Sequence, residues 1–362
     1  MRFEGAVLRA ADGPYSIEPL ELADPGPGEI VVRIAGAGHC HTDMVGRGMP
    51  GPIILGHEGS GVVEAVGPGV TEVEVGAHVV LSFDSCGRCR NCRDARPGNC
   101  AQMFEYNMLG APLDGVPRVT DAKGEPVNNR WFGQSSFGTH ALAGVRNVVP
   151  VDREAPLELL GPLGCGVQTG AGSVLISLGV RAGDTLAVFG AGAVGLAAVM
   201  AARVAGAAVI VAVDLNEARL ELARDLGATH VLDGAEDGIA EKIREITGGE
   251  GVQFALDTTA VPDVVSKAVA SLRTTGVCGL VGVGGQEYRF DPTQLLTGRT
   301  VKGIIEGDAV PQTFIPRLVD LWWQGRFPFD KLITTYPLAD INRAEEEVNA
   351  GKVVKPVLLP GG

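Results

Sequence analysis

Four cysteines fall within a short stretch, Cys86, Cys89, Cys92 and Cys100, with gaps of two, two and seven residues. A turn with two intervening residues lets successive thiolates face one centre, and the longer loop brings back a fourth. Four thiolates saturate tetrahedral zinc and leave no position for water, so such a site holds a loop and does no chemistry. Arg88, Arg90, Arg93 and Arg96 stand around the cluster and would offset part of its charge. An iron–sulfur cluster takes the same four ligands. Disulfides fit poorly, because seven cysteines in a chain of 362 residues do not make a disulfide scaffold and point to a reducing cytoplasm.

A second set is scattered and has the composition of an open metal site. Cys40 and His41 lie in Gly38-His-Cys-His-Thr-Asp43, and His57 and Glu58 lie in Gly56-His-Glu-Gly59. Cys165, in Gly164-Cys-Gly166, can close the set. Three ligands, Cys40, His57 and Cys165, would leave a fourth position for water or an alcohol oxygen. Packed, metal-free cysteines are the alternative. Thr42 can carry a proton from such an alcohol, and Asp43 can hold a ligand imidazole from behind. Glu58 suits an outer carboxylate or an occasional replacement ligand, while His39 has no clear assignment.

The third motif is Gly190-Ala-Gly192-Ala193-Val194-Gly195, between an apolar run at 185–189 and a helical pattern at 194–205. Glycines there permit a tight turn and close approach of pyrophosphate to a helix N-terminus. A second apolar run, 209–213, ends at Asp214, followed by Leu215. Asp214 suits the adenosine ribose hydroxyls and would repel a 2′-phosphate, which favours NAD over NADP. Arg219 can flank the adenosine.

These motifs need two kinds of scaffold. Residues 1–155 read as short strands broken by Pro-Gly and Gly-Pro turns, notably 30–34, 61–66 and 77–81, which predicts a bent antiparallel sheet or partial barrel. The stretch 107–130 is polar and turn-rich and reads as a surface excursion. From Pro156 onward strands alternate with helices, which predicts a doubly wound parallel sheet. Helices follow at 314–323 and 341–348, and a last strand at 353–359 is expected to return to the first domain. Hydrophobic residues at 45% and charged residues at 20% fit a folded globular protein. The net charge of −13 argues against nucleic acid and acidic membranes as partners. The most apolar stretch, 188–199, is dense in glycine and alanine and too short to cross a bilayer, and no signal-peptide core opens the chain.

Taken together, these motifs in this order resemble the zinc-dependent medium-chain alcohol dehydrogenases along essentially the whole chain. The resemblance implies catalytic zinc on Cys40, His57 and Cys165, and structural zinc on Cys86, Cys89, Cys92 and Cys100. It implies a mainly β GroES-like catalytic domain from residues 1–160 and 304–362, carrying the structural zinc lobe, around an α/β Rossmann NAD-binding domain at 161–303. Two zinc ions per subunit, NAD and a homodimer or homotetramer follow from the same likeness. Gly161 to Leu175, Ile305-Glu-Gly-Asp308, and Phe314-Ile-Pro316 followed by 324–332 are similar to the aryl-alcohol (benzyl-alcohol) dehydrogenases within that family. The implied reaction is reversible hydride transfer from an aromatic primary alcohol to NAD, giving the aldehyde. Allylic or terpenoid, short-chain aliphatic and formaldehyde-derived alcohols are alternatives, and a non-catalytic zinc and nucleotide-binding protein is the alternative of another class.

By this resemblance Thr42 begins the proton relay, and His41 and Lys355 contact the cofactor pyrophosphate. Many members complete the relay with a histidine where this chain has Val45, so the proton must leave through water or another group such as His41. Phe83, Trp131, Phe132 and Phe137 are expected to contribute to an apolar substrate slot or to ordinary core.

Overall fold

A computed structural model describes residues 1–284 and 287–361. The chain forms two compact units. The first comprises Met1–Cys165, Val310–Val319 and Asp330–Gly362, and the second Gly166–Ala309 and Asp320–Phe329.

The first unit holds a five-stranded antiparallel sheet and a seven-stranded one. The smaller runs in the order Ile53–Ile54, Arg2–Leu8, Tyr15–Leu22, Val119–Asp121 and Pro126–Val127. In the larger sheet Glu29–Gly38 is central, pairing with Glu58–Val66, His140–Gly144 and the last strand, Lys355–Leu359. Ile30, Val31, Val32 and Ile34 are all buried, as expected of β-branched residues in a strand covered on both faces. Lys355–Leu359 pairs through Val357 and Leu358 with Gly38 and Ala37. Pro356 has no N–H to donate. Its carbonyl still accepts the His39 N–H at 2.9 Å, so the chain entering Cys40 is pinned by the far end of the sequence.

The stretch 107–130 is less superficial than its polarity suggests. Val119–Asp121 and Pro126–Val127 extend the five-stranded sheet, and Asn107, Val119 and Val127 are buried. Asn107 accepts the Asp84 N–H and donates to the Asp84 carbonyl, so a polar side chain does the pairing that a strand neighbour would otherwise do.

The second unit is a parallel sheet in the order His230–Asp233, Val209–Asp214, Thr185–Phe189, Val252–Asp257, Leu272–Leu280, Thr300–Gly303. Thr185–Phe189 and Val209–Asp214 carry the apolar runs 186–189 and 209–213 because crossover helices cover the sheet. The principal crossovers are Ala193–Ala205, Glu217–Leu226, Ile239–Ile246 and Pro262–Ala270. Chain order reverses beside Thr185–Phe189, which places a ligand crevice at the carboxyl ends of that strand and of Val252–Asp257. This is the doubly wound Rossmann arrangement predicted above. Among the described residues no single helix is long and apolar enough to cross a membrane.

Candidate active site

Cys40 caps the short helix His41–Gly46 at the end of the central strand of the first unit. His57 and Glu58 open the neighbouring strand, so pairing of Gly38 with Glu58 brings the two motifs together. Cys165 arrives on the turn Gly161–Gly164, which lies flush on the sheet because Gly164 lacks a side chain. A Cβ there would stand 2.1 Å from the Leu81 carbonyl oxygen. Ser82 Oγ locks the turn by donating to the Gly164 carbonyl at 2.6 Å. The outcome is one ligand atom each from Cys40, His57, Glu58 and Cys165, all within 4.8 Å of one another.

Asp43 organises this cluster. Its Oδ1 accepts His57 Nδ1 at 2.8 Å, Gly56 N at 3.1 Å and Trp131 Nε1 at 3.0 Å, and its Oδ2 accepts Cys40 N at 3.0 Å. With Nδ1 committed, His57 Nε2 is left buried without a hydrogen-bond partner. Phe132 stacks on the same imidazole with centroids 4.4 Å apart. Hydrogen bonding from Cys165, reinforced by the positive charge of Lys355, holds the Cys40 thiol well below its ordinary range despite burial. An orphaned imidazole nitrogen beside a thiol biased toward thiolate is the donor chemistry of zinc, and these residues fit it.

Glu58 does not stand free beside the cluster. Both of its carboxylate oxygens accept from Lys355 Nζ at 2.9 Å, and the same ammonium donates to the His39 carbonyl at 3.1 Å. Burial pushes the Glu58 carboxyl up, and Lys355 opposes it. Lys355 was expected against the cofactor pyrophosphate. It is instead buried, with its donors directed inward, because an ammonium has three N–H groups and Glu58 and His39 engage them. Thr42 Oγ1 lies 3.8 Å from Cys40 Sγ, and His41 is exposed one residue away. Val45 is also exposed and has no group that could take a proton.

The four-cysteine lobe is assembled by backbone. The Sγ atoms of Cys86 and Cys92 are 4.0 Å apart and those of Cys89 and Cys92 3.5 Å apart. Tetrahedral zinc with bonds of about 2.3 Å separates its sulfurs by about 3.8 Å. Backbone N–H groups of Cys86, Cys89, Ala101 and Gln102 donate to sulfur at 3.3 to 3.5 Å, and those from Ala101 and Cys92 bring the Cys89 thiol down to about 6. Arg88, Arg90, Arg93 and Arg96, expected to offset the charge, are all exposed, and fixed amide dipoles take that role at closer range.

In the second unit Gly192 caps the thirteen-residue helix Ala193–Ala205. A Cβ on Gly192 would meet nothing within 4 Å, whereas one on Gly195 would stand 1.8 Å from the Gly190 carbonyl oxygen. Gly195 is therefore needed for helix packing, and Gly192 leaves open space in front of a helix N-terminus, a cradle that suits pyrophosphate. Asp214 steadies this turn by accepting Ala191 N at 2.5 Å and Asn216 N at 2.8 Å. Beside it Leu215 is exposed, and Arg219 Nε is buried with no hydrogen-bond partner. These residues fit a dinucleotide.

Family models agree with the two scaffolds: residues 26–152 match the alcohol dehydrogenase GroES-like domain and residues 193–323 the zinc-binding dehydrogenase domain. A geraniol dehydrogenase of Castellaniella defragrans is 48% identical over 98% of this chain and 97% of its own. The chain belongs to the zinc-dependent medium-chain alcohol dehydrogenases. It is an NAD-linked enzyme that takes one catalytic and one structural zinc ion. Among solved structures, the benzyl alcohol dehydrogenase of Acinetobacter calcoaceticus superposes on this dehydrogenase with a TM-score of 0.96 at 42% identity, covering 99% of each chain. An alcohol dehydrogenase zinc-binding domain protein of Burkholderia ambifaria reaches 0.97 at 50% identity, also over 99% of each.

Several residues around the dehydrogenase's site have partners that the sequence does not reveal. Trp131 was weighed as substrate slot or core, and it is wholly buried as the indole donor to Asp43. Phe137 is likewise buried and stacks on His39 at 5.6 Å. Gln134 bridges the strands on either side of the cluster, donating to the His57 and Ser82 carbonyls and accepting Gly59 N. His39 is tied to Glu345 at 3.1 Å, and Glu345 also holds Arg47 at 2.6 Å. Spacing reveals none of these partners, which are 75 or more residues apart in most cases.

Proposed function

We propose that this dehydrogenase reversibly oxidises an allylic primary alcohol of the terpenoid kind to its aldehyde, with NAD as partner. The 48% identity to a protein named geraniol dehydrogenase, sustained over 98% of the chain, is the observation that carries this substrate class. It shifts the preference from the aromatic alcohol suggested by the sequence motifs alone. A benzylic primary alcohol is the second reading, supported by the likeness to benzyl alcohol dehydrogenase. In both classes the carbinol carbon adjoins an sp2 carbon, so the aldehyde product is conjugated.

In this reading Cys40, His57 and Cys165 hold the catalytic zinc, and Cys86, Cys89, Cys92 and Cys100 the structural one. When bound, zinc supplies a Lewis acid that lowers the pKa of an alcohol hydroxyl, and NAD supplies the hydride acceptor. Asp43 keeps the His57 proton on Nδ1, so that the Nε2 lone pair faces the cluster. Thr42 accepts the substrate hydroxyl proton, and His41, exposed on the same helix, passes it toward water in place of a group at Val45. Glu58, neutralised by Lys355, stays behind the ligands as an outer carboxylate. Gly190, Gly192, Ala193, Val194 and Gly195 receive the pyrophosphate, Asp214 accepts from the ribose hydroxyls, and Leu215 and Arg219 flank the adenosine.

The test is a panel of allylic, benzylic and short aliphatic alcohols, read by formation of reduced cofactor with NAD and with NADP. The highest kcat/KM is expected for terpenoid allylic alcohols with NAD. A benzylic optimum would install the second reading, and a short aliphatic optimum would sink both. Equal use of NADP would overturn the role given to Asp214.

A further inference from the structure

The second unit contains a buried carboxylate to which none of these roles has been given. Glu306 follows the last strand of the parallel sheet, Thr300–Gly303, and is 6% exposed. Its backbone is left-handed, with φ of 49°, and so are Gly307 at 67° and Asp308 at 54°. Two non-glycine residues in that region, flanking a glycine, form a strained turn that persists only when its surroundings over-determine it.

Side chains on both flanks do so. Glu306 Oε2 accepts Gln168 Nε2 at 3.2 Å and Thr169 Oγ1 at 3.3 Å, two consecutive buried residues of the helix Gly166–Gly172. Asp308 Oδ2 accepts Ser177 Oγ at 2.6 Å and Lys302 Nζ at 3.3 Å. The helix comes so close that a Cβ on Gly307 would stand 2.8 Å from the Gln168 carbonyl oxygen. The same helix abuts the phosphate-binding helix, since a Cβ on Gly170 would lie 2.0 Å from the Val194 carbonyl oxygen. One carboxylate therefore ties the carboxyl edge of the last strand, through Gln168, Thr169 and Gly170, to the first turn of the helix that begins at Gly192.

Strand order says what lies along that edge. The pyrophosphate sits at the glycine-rich turn after Thr185–Phe189, and Asp214 draws the adenosine toward Val209–Asp214. The other half of the dinucleotide must then extend the opposite way, over the ends of Val252–Asp257, Leu272–Leu280 and Thr300–Gly303. The strained turn at Glu306 closes that side.

We propose that Glu306 is a positioning residue for the nicotinamide half of the cofactor, acting through Thr169 and Gln168 and through the turn 306–308. The inference rests on the NAD assignment and adds to it which residue orders the reactive end. ADP-ribose keeps the adenosine, pyrophosphate and second ribose but lacks nicotinamide, so it separates the two ends of the groove. Binding of NADH and of ADP-ribose to the zinc-loaded enzyme is measured by calorimetry for wild type, Glu306→Ala and Glu306→Gln. Glu306→Ala is expected to weaken NADH about tenfold while changing ADP-ribose by less than about twofold, the effect of one lost buried hydrogen-bonded anchor. Glu306→Gln, whose amide oxygen can accept both hydrogen bonds, is expected to recover most of the loss. Equal weakening of both ligands, or of neither, would overturn the proposal. Should Glu306→Ala not fold, Thr169→Val reads the same contrast, and an unchanged ratio of the two affinities overturns it. A wild-type enzyme that bound neither ligand would overturn the NAD assignment itself, and this inference with it.

Discussion

Replacing Asp43 by Asn tests the geometry of the catalytic cluster most directly. The carboxylate accepts four N–H groups, three on Oδ1 and one on Oδ2, at 2.8 to 3.1 Å in a fully buried position. An asparagine that keeps its oxygen toward His57, Gly56 and Trp131 must point its own N–H2 at the Cys40 N–H. One hydrogen bond becomes a donor–donor conflict, and the other three lose their ionic acceptor. A hydrogen bond to a charged group contributes about 1.5–3 kcal/mol, and loss of a group that orients a metal ligand lowers metal affinity about 10- to 100-fold. The two figures agree, because 1.4 kcal/mol is about tenfold. Asp43→Asn should therefore release the catalytic zinc at about 10- to 100-fold lower chelator strength than wild type. The zinc of Cys86, Cys89, Cys92 and Cys100, which Asp43 does not touch, should remain. Metal content per chain across a chelator series would pass through a plateau at one zinc. Trp131→Phe, which removes a single donor and leaves the carboxylate intact, should shift the catalytic site by less than about tenfold. The reasoning is refuted if both zinc ions leave together, or if the catalytic zinc is held as tightly as in wild type.

Two glycines of the nucleotide turn should respond oppositely to alanine. Gly195→Ala forces a contact of 1.8 Å with backbone and should cost about 1–3 kcal/mol in a denaturant melt, whereas Gly192→Ala meets nothing and should leave stability within about 0.5 kcal/mol while weakening NADH binding. Equal stability of the two variants would contradict the assignment of Gly192 to the cofactor and Gly195 to packing. Acid stability should depend on Glu345. Burial pushes its carboxyl up, but His39 and Arg47 more than offset that and hold it below the usual carboxylate range. Such a group stabilises fully above its unfolded value of about 4.3, and the contribution disappears as pH falls through the lower folded value. Glu345→Gln should accordingly flatten the fall in melting temperature below about pH 4.5, and an unchanged acid limb would refute the pairing with His39 and Arg47.

Local spacing made the ligand types, the glycine-rich turn and the alternation of strands and helices legible. The four cysteines need only two short turns and one loop to converge. Their thiol environment was another matter, since exposed arginines in the sequence proved secondary to backbone amides that become donors only once the loop is folded. Aromatic residues near a metal motif left substrate slot and ordinary core both open, and Trp131 and Phe132 pack on Asp43 and His57. Nothing in composition distinguishes a ring that meets substrate from one that holds a ligand.

The chain's own order of residues is enough to specify which chemistry it offers: thiolates and an imidazole that suit zinc, glycines that suit a phosphate, an acid that suits a ribose. Which group serves which partner depended on contacts between distant segments. Lys355 reaches Glu58 across 297 positions because the last strand pairs with the central one, and Trp131 reaches Asp43 across 88 because a buried carboxylate must gather donors wherever the fold supplies them. Short-range periodicity encodes elements. The desolvation of charged groups, which is settled only when those elements pack, selected the partners that turn the elements into a site.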